Sequence, residues 1–162
     1  MDVATSLPRR TGRRPLTTST LPHQQIDQQP TDPSLQEELA ARAFALDGVV
    51  EQPSGISVPG ARALVFEDGR PGPSSAFMVG SEFAHLHPSP DWSLHLTLPE
   101  DVAAAAVEAG WAEFHPFVLT GQIPPTHVMV YAPRDREELE LVWNLVEASY
   151  RFAASATNGS AS

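Results

Sequence analysis

"EFAHLHPSPDWSLHL", residues 82–96, holds half of the chain's six histidines: His85, His87 and His95. The Pro-rich "PSPD" reads as a turn between two strands. Side chains alternate faces along a strand. In the second strand, residues 92–98, Leu94, Leu96 and Leu98 take one face, and Ser93, His95 and Thr97 take the other. In the first, residues 76–87, Phe83, His85 and His87 share a face opposite Ala84 and Leu86. Leucine marks the core, so the imidazoles look away from it. A turn pairing residue 87 with residue 93 sets His85 opposite His95, with Cβ atoms about 5 Å apart.

The same parity extends along the chain. "RALVFE" at residues 62–67, "WAEFHP" at 111–116 and "THVMVYAP" at 126–133 read as further strands. They add Glu113, His115 and Tyr131 to the histidine face, with His127 beside them. Glu82 falls on the opposite face of a regular strand, which makes Glu113 the candidate carboxylate. Helices are expected where Leu35, Leu39, Ala43 and Leu46 share a face, in "PEDVAAAAVEAG" before Gly110, and in residues 134–153, where Leu139, Val142, Trp143, Val146 and Tyr150 make a stripe. Short strands bracketed by helices, without a phosphate-binding βαβ signature, predict an α+β domain: a mostly antiparallel sheet with helices packed on one face. Its expected span is 34–154. Residues 1–33, rich in Pro, Thr, Gln and Arg, read as a disordered arm, and 155–162 as a frayed tail. His23 lies in the arm and reads as incidental.

Composition narrows the chemistry. The chain has no cysteine and no lysine; all ten basic residues are arginine. Thiolate nucleophiles, disulfides, Schiff bases and a phosphate-loop lysine are excluded. Net charge is −10. Residues 1–33 carry four Arg against three Asp, for +1, and the rest carry six Arg against 17 Asp and Glu, for −11. So acidic a body repels phosphate backbones, so neither nucleic acid nor an anionic membrane is expected as a partner. No secretory signal or membrane-spanning run is seen, and a cytoplasmic protein is the default reading.

"EFAHLHPSPDWSLHL", "GWAEFHP", "VYAPRDREE" and "VEAS" together resemble the luciferase domain of bioluminescent fungi, over roughly residues 80–155. The spacing of His85, His87, His95, Trp111 and His115 carries the resemblance, with Glu82, Gly110, Pro116, Pro125, Tyr131, Pro133, Arg134, Glu147 and Ser149 also in place. The fungal enzymes have an N-terminal apolar segment that reads as a membrane anchor, for which this sequence has no counterpart, and "GWG" where this chain has Trp111–Ala112. The Ala- and Arg-rich, lysine-free composition resembles that of a high-GC bacterium.

The resemblance implies a reaction: addition of O2 to a hydroxylated α-pyrone without metal or flavin. A base removes a hydroxyl proton, and the enolate reacts with O2. Histidine suits the base role, its unperturbed pKa being about 6.5. On this reading His85, His87, His95 and His115 are catalytic. Trp111 and Tyr131 stack on a flat substrate, and Glu113 and Arg134 help to hold it. The expected partner is a small molecule, with O2 as co-substrate and no cofactor. Alternatives stay open on the residues themselves. The His-x-His pair with a third histidine and a carboxylate also fits a zinc or iron(II) site. The cluster could instead serve a non-catalytic binding module, or hydrogen-bond across the sheet. Trp111 could be a core plug, and Arg134 an anchor for the last helix through Glu137 or Glu138.

Overall fold

A computed structural model describes residues 7–156. In chain order the elements are α1 (Ser34–Phe44), β1 (Val49–Pro53), β2 (Arg62–Phe66), a 3-10 turn (Ser74–Ala76), β3 (Glu82–Leu86), β4 (Leu94–Thr97), α2 (Glu100–Glu108), β5 (Ala112–Phe114), α3 (Pro116–Leu119), β6 (His127–Val130) and α4 (Arg136–Ala154). The six strands form one sheet in the order β1–β2–β3–β4–β6–β5, every neighbouring pair antiparallel. This is the expected α+β architecture. The edge strand β1 has no signal in the sequence because, after Val49, it is increasingly exposed and shows no alternation.

The helices cover the aliphatic face. Leu64, Leu94, Leu96, Val128 and Val130 are fully buried beneath Leu139, Val142, Leu145 and Val146 of α4. Burying each such side chain contributes about 1.5–3 kcal/mol before entropy is charged against it. The Asp135 carboxylate caps α4, accepting the Glu138 N–H at 2.8 Å. Gly110, at φ 92°, stops α2 in the left-handed conformation.

The turn at residues 87–93 closes as its sequence suggests: the His87 N–H donates to the Ser93 carbonyl at 2.9 Å. His85 then lies directly opposite His95, and His95 opposite Met129. One parity expectation fails. Between β2 and β3 the register shifts: Ala84 pairs with Leu64, but Glu82 pairs with Val65, so Phe83 is an extra residue in a β-bulge. The bulge turns Phe83 into the core, where its ring lies 5.1 Å from Phe66 and 6.3 Å from Tyr150. It also swings Glu82 onto the histidine face, the reverse of the expected placement for both residues.

The arm needs a larger correction. Residues 7–33 lie as a strap along the open face of the sheet, tied by side chains more than by secondary structure. Trp111 Nε1–H donates to the Pro8 carbonyl at 2.6 Å. Arg9 donates to the Glu108 carbonyl, the Arg10 amide to the Ala109 carbonyl, and Arg14 to the Val107 and Ala112 carbonyls. α2 has no basic residue in its own last turn. The strap's arginines therefore supply the cations that the negative end of its dipole favours. The Thr17–Gln25 bridge folds the strap back on itself and brings His23, 3% exposed, down onto β4. The expected arm also includes residues 1–6 and the expected tail residues 157–162, which lie outside the described residues. No helix among the described residues is long and apolar enough to cross a membrane.

Candidate functional site

The face opposite the helices carries a cavity of about 470 Å³. Its polar surface is mostly imidazole, from His23, His85, His87, His95, His115 and His127, with Ser57 beside them. Its walls are apolar, with Leu21 and Pro22 from the strap, Ile56 and Val58 from the β1–β2 loop, Met78, Phe117 and Ile123. Leu21 and Ile56 are more than half exposed and form its rim.

The imidazoles form a connected chain. His95 sits at the hub, with Nδ1 3.2 Å from His85 Nε2 and 3.1 Å from His87 Nε2, and with Nε2 3.0 Å from His23 Nδ1. Each of the three outer rings meets a carboxylate at its far nitrogen. His85 Nδ1 is 2.8 Å from Glu82 Oε2, His87 Nδ1 is 2.8 Å from Asp91 Oδ2, and His23 Nε2 is 2.7 Å from Glu113 Oε2. The carboxylates are themselves held. Ser54 Oγ–H and the Gly55 N–H donate to Glu82, Ser93 and the Gln25 N–H to Asp91, and Thr17 and Tyr131 hydroxyls to Glu113. Burial alone would raise each carboxyl pKa. The hydrogen bonds outweigh it, led by His85 at Glu82, His87 at Asp91 and His23 at Glu113, and leave all three below their usual range.

Ionised carboxylates only accept, so each fixes the tautomer of its imidazole. His85 and His23 spend one N–H on a carboxylate, His87 spends its own on the Ser93 hydroxyl that donates to Asp91, and all three turn a bare nitrogen toward His95. A neutral His95 has a single N–H with which to serve acceptors on both sides. One side of the hub is therefore left facing unprotonated nitrogens, a vacancy for one cation.

Burial, and then the imidazoles His85, His87, His23 and His115, hold the His95 pKa well below 6.5. Burial also lowers His85 and His127. His115 is brought down to about 4, mainly by burial and then by His23 and His127. Its Nδ1 accepts the Phe117 N–H at 3.0 Å, which places the ring proton on Nε2. These shifts fix a pH dependence. A histidine depressed in the folded state binds fewer protons there than in the unfolded chain, whose value is about 6.5. Its contribution is whole above that pH and is lost as pH falls toward about 4 for His115. The urea midpoint is expected to be lower at pH 5 than at pH 7.5; an unchanged midpoint would contradict these neutral, buried rings.

The four histidines expected at the site, His85, His87, His95 and His115, line one cavity. The other expected site residues do not line it. Trp111 packs into the core cluster and ties down the strap, since it precedes β5 instead of alternating within it. Tyr131 lies behind the site: its hydroxyl donates to Glu113 and accepts from Arg14, burial pushes its pKa up to about 12, and the Arg10 guanidinium sits 5.3 Å from its ring centre. Arg134 is engaged by Glu138 and the Thr11 carbonyl at the start of α4. Neither stacking on a substrate by Trp111 and Tyr131 nor anion holding by Arg134 matches these positions. Glu113 acts at one remove, through His23. The sequence reading passed over His23, His127, Glu82 and Asp91. Only Asp91 carried a local signal, as an Asp two residues before the Ser93 whose N–H it accepts, at 3.1 Å.

Residues 80–149 match the Luciferase domain family. Luciferases of Armillaria gallica and Armillaria ostoyae are each 31% identical over 163 residues, covering 90% of this chain and 60% of their own length. The luciferase of Neonothopanus nambi is 38% identical over 73 residues, 44% of this chain and 27% of its own length. The chain thus spans less than two thirds of the length of these relatives. No solved structure matches it significantly. By these matches residues 80–149 carry a Luciferase domain, and the chain is similar to the fungal luciferases over most of its length.

Proposed function

We propose that the chain is a luciferase-like oxygenase acting on a small planar enolisable compound, pyrone-like or phenolic, with the imidazole cluster as proton acceptor. The observation that carries this reading is the proton vacancy at His95 between three carboxylate-anchored rings. A hydroxyl proton leaving the substrate fills it. The wire Glu82–His85–His95–His23–Glu113 spreads the resulting positive charge between carboxylates and leads it toward Glu113, whose side chain is 26% exposed. The Nε2–H of His115 donates to the enolate oxygen. The apolar walls hold the flat body of the substrate and keep water from the enolate while it reacts with O2, which needs no polar site. A 470 Å³ cavity lies within the usual range for small ligands.

The purified protein is expected to consume O2 when mixed with hydroxylated pyrones or catechol-like phenols, read with an oxygen electrode. If no compound drives uptake while some raise the melting temperature, the chain is a non-catalytic binding module.

A further inference from the structure

We propose that His85 Nε2, His87 Nε2 and His95 Nδ1 together bind one divalent first-row transition metal ion, with its free coordination position open to the cavity. The ion takes the same His95 Nδ1 lone pair that the reading above leaves free for a substrate proton, so ion and proton compete for it and the proton chemistry above belongs to the metal-free protein.

Three features of the trio point the same way. The first is spacing: the ring nitrogens stand 3.2 and 3.1 Å apart about the hub. Imidazoles bound at about 2.0–2.1 Å in a tetrahedral site have nitrogens roughly 3.3–3.4 Å apart, which the two distances to His95 approach, and all three ligand atoms lie within 4.8 Å of one another. The second is support. Glu82 holds the far nitrogen of His85, and the Ser93 hydroxyl, itself donating to Asp91, holds that of His87; both rings thus aim a lone pair inward, the arrangement found behind metal-bound histidines. For His95, donation from Nε2–H to His23 Nδ1 satisfies every contact outside the trio and leaves Nδ1 bare beside the other two. Three lone pairs then converge with nothing between them, which is repulsive unless a cation lies there. The third is charge. Glu82 and Asp91 are each 3% exposed, and among the described residues neither has an arginine partner. Two buried carboxylates without an arginine beside them are costly unless a cation offsets their charge. A divalent ion offsets both.

A second trio, His23, His95 and His115, also gathers ligand atoms. It is weaker, because the His115 Nδ1 meets a backbone N–H and not a carboxylate. Both trios line the cavity with all three rings, so an ion at either keeps a position open to substrate or water, and it is the anchoring of the far nitrogens that favours the first.

The test uses full-length protein without a histidine tag, stripped with a chelator and titrated separately with Zn2+ and Co2+ at pH 7.5, in the absence of substrate. One equivalent is expected to bind, with the visible absorption of nitrogen-ligated Co2+. Asp91→Asn should weaken binding by about 10- to 100-fold, His87→Ala should abolish it, and His115→Ala should leave it unchanged. No binding by folded stripped protein overturns the proposal. So does loss of binding in His115→Ala with none in Asp91→Asn, which would move the ion to the second trio. This pair decides the matter even if His87→Ala fails to fold. Protein that consumes no O2 while stripped, yet binds one equivalent on titration, contradicts the proposed reaction and not the site.

Discussion

His95→Ala is expected to lower oxygen uptake by about 100- to 10,000-fold, the usual cost of removing a positioned proton acceptor. His95 is the one ring that touches three others, so its loss cuts the wire between the Glu82 and Glu113 ends at a single point. The effect should fall mainly on kcat, because the apolar walls that hold the substrate stay in place. His85→Ala removes one anchored acceptor and leaves the His87 and His23 branches, so a smaller loss is expected. Circular dichroism identical to wild type confirms that the comparison concerns chemistry. Turnover within about threefold of wild type in His95→Ala would remove the cluster from the reaction, since a base contributes at least about 100-fold.

Phe83→Ala is the substitution expected to damage stability most. The ring is fully buried between Phe66 and Tyr150. Truncating such a side chain costs about 3–5 kcal/mol, or roughly 6–20 °C in melting temperature for a chain of this size. The same substitution tests the bulge. Were β3 regular, Phe83 would stand on the histidine face and its loss would cost little in stability and more in turnover. A melting temperature within about 2 °C of wild type, less than 1 kcal/mol, would mean that the bulge is absent and that Glu82 is not aimed at His85.

The central hairpin was legible because leucine and histidine alternate through β4 and the turn between the strands is short. Those two facts alone put His85 opposite His95. The bulge was not legible: "SEFAHLH" keeps its period of two on paper, and only pairing with β2 shows that Phe83 is surplus. The strap was misread for a different reason. Its order comes from arginine, glutamine and threonine side chains that pair with polar groups elsewhere, such as Arg14 donating to the Ala112 carbonyl and Gln25 accepting from the Ala132 N–H. Such bonds join residues about a hundred positions apart and leave no periodic trace, so an ordered strap and a disordered arm share one composition. Trp111, Tyr131 and Arg134 enter the expected site through what the resemblance implies, a flat substrate that becomes an enolate. The structure gives them the work of tying down the strap, bracing Glu113 and anchoring α4.

The most direct test is an anaerobic spectrophotometric titration of the protein with a hydroxypyrone, at a pH about one unit below the free compound's own pKa. Excluding O2 separates proton transfer from oxidation. The bound compound should show the enolate spectrum in wild type and the spectrum of the neutral acid in His95→Ala. A compound that binds wild type with its hydroxyl proton still in place would contradict the imidazole cluster as the proton acceptor.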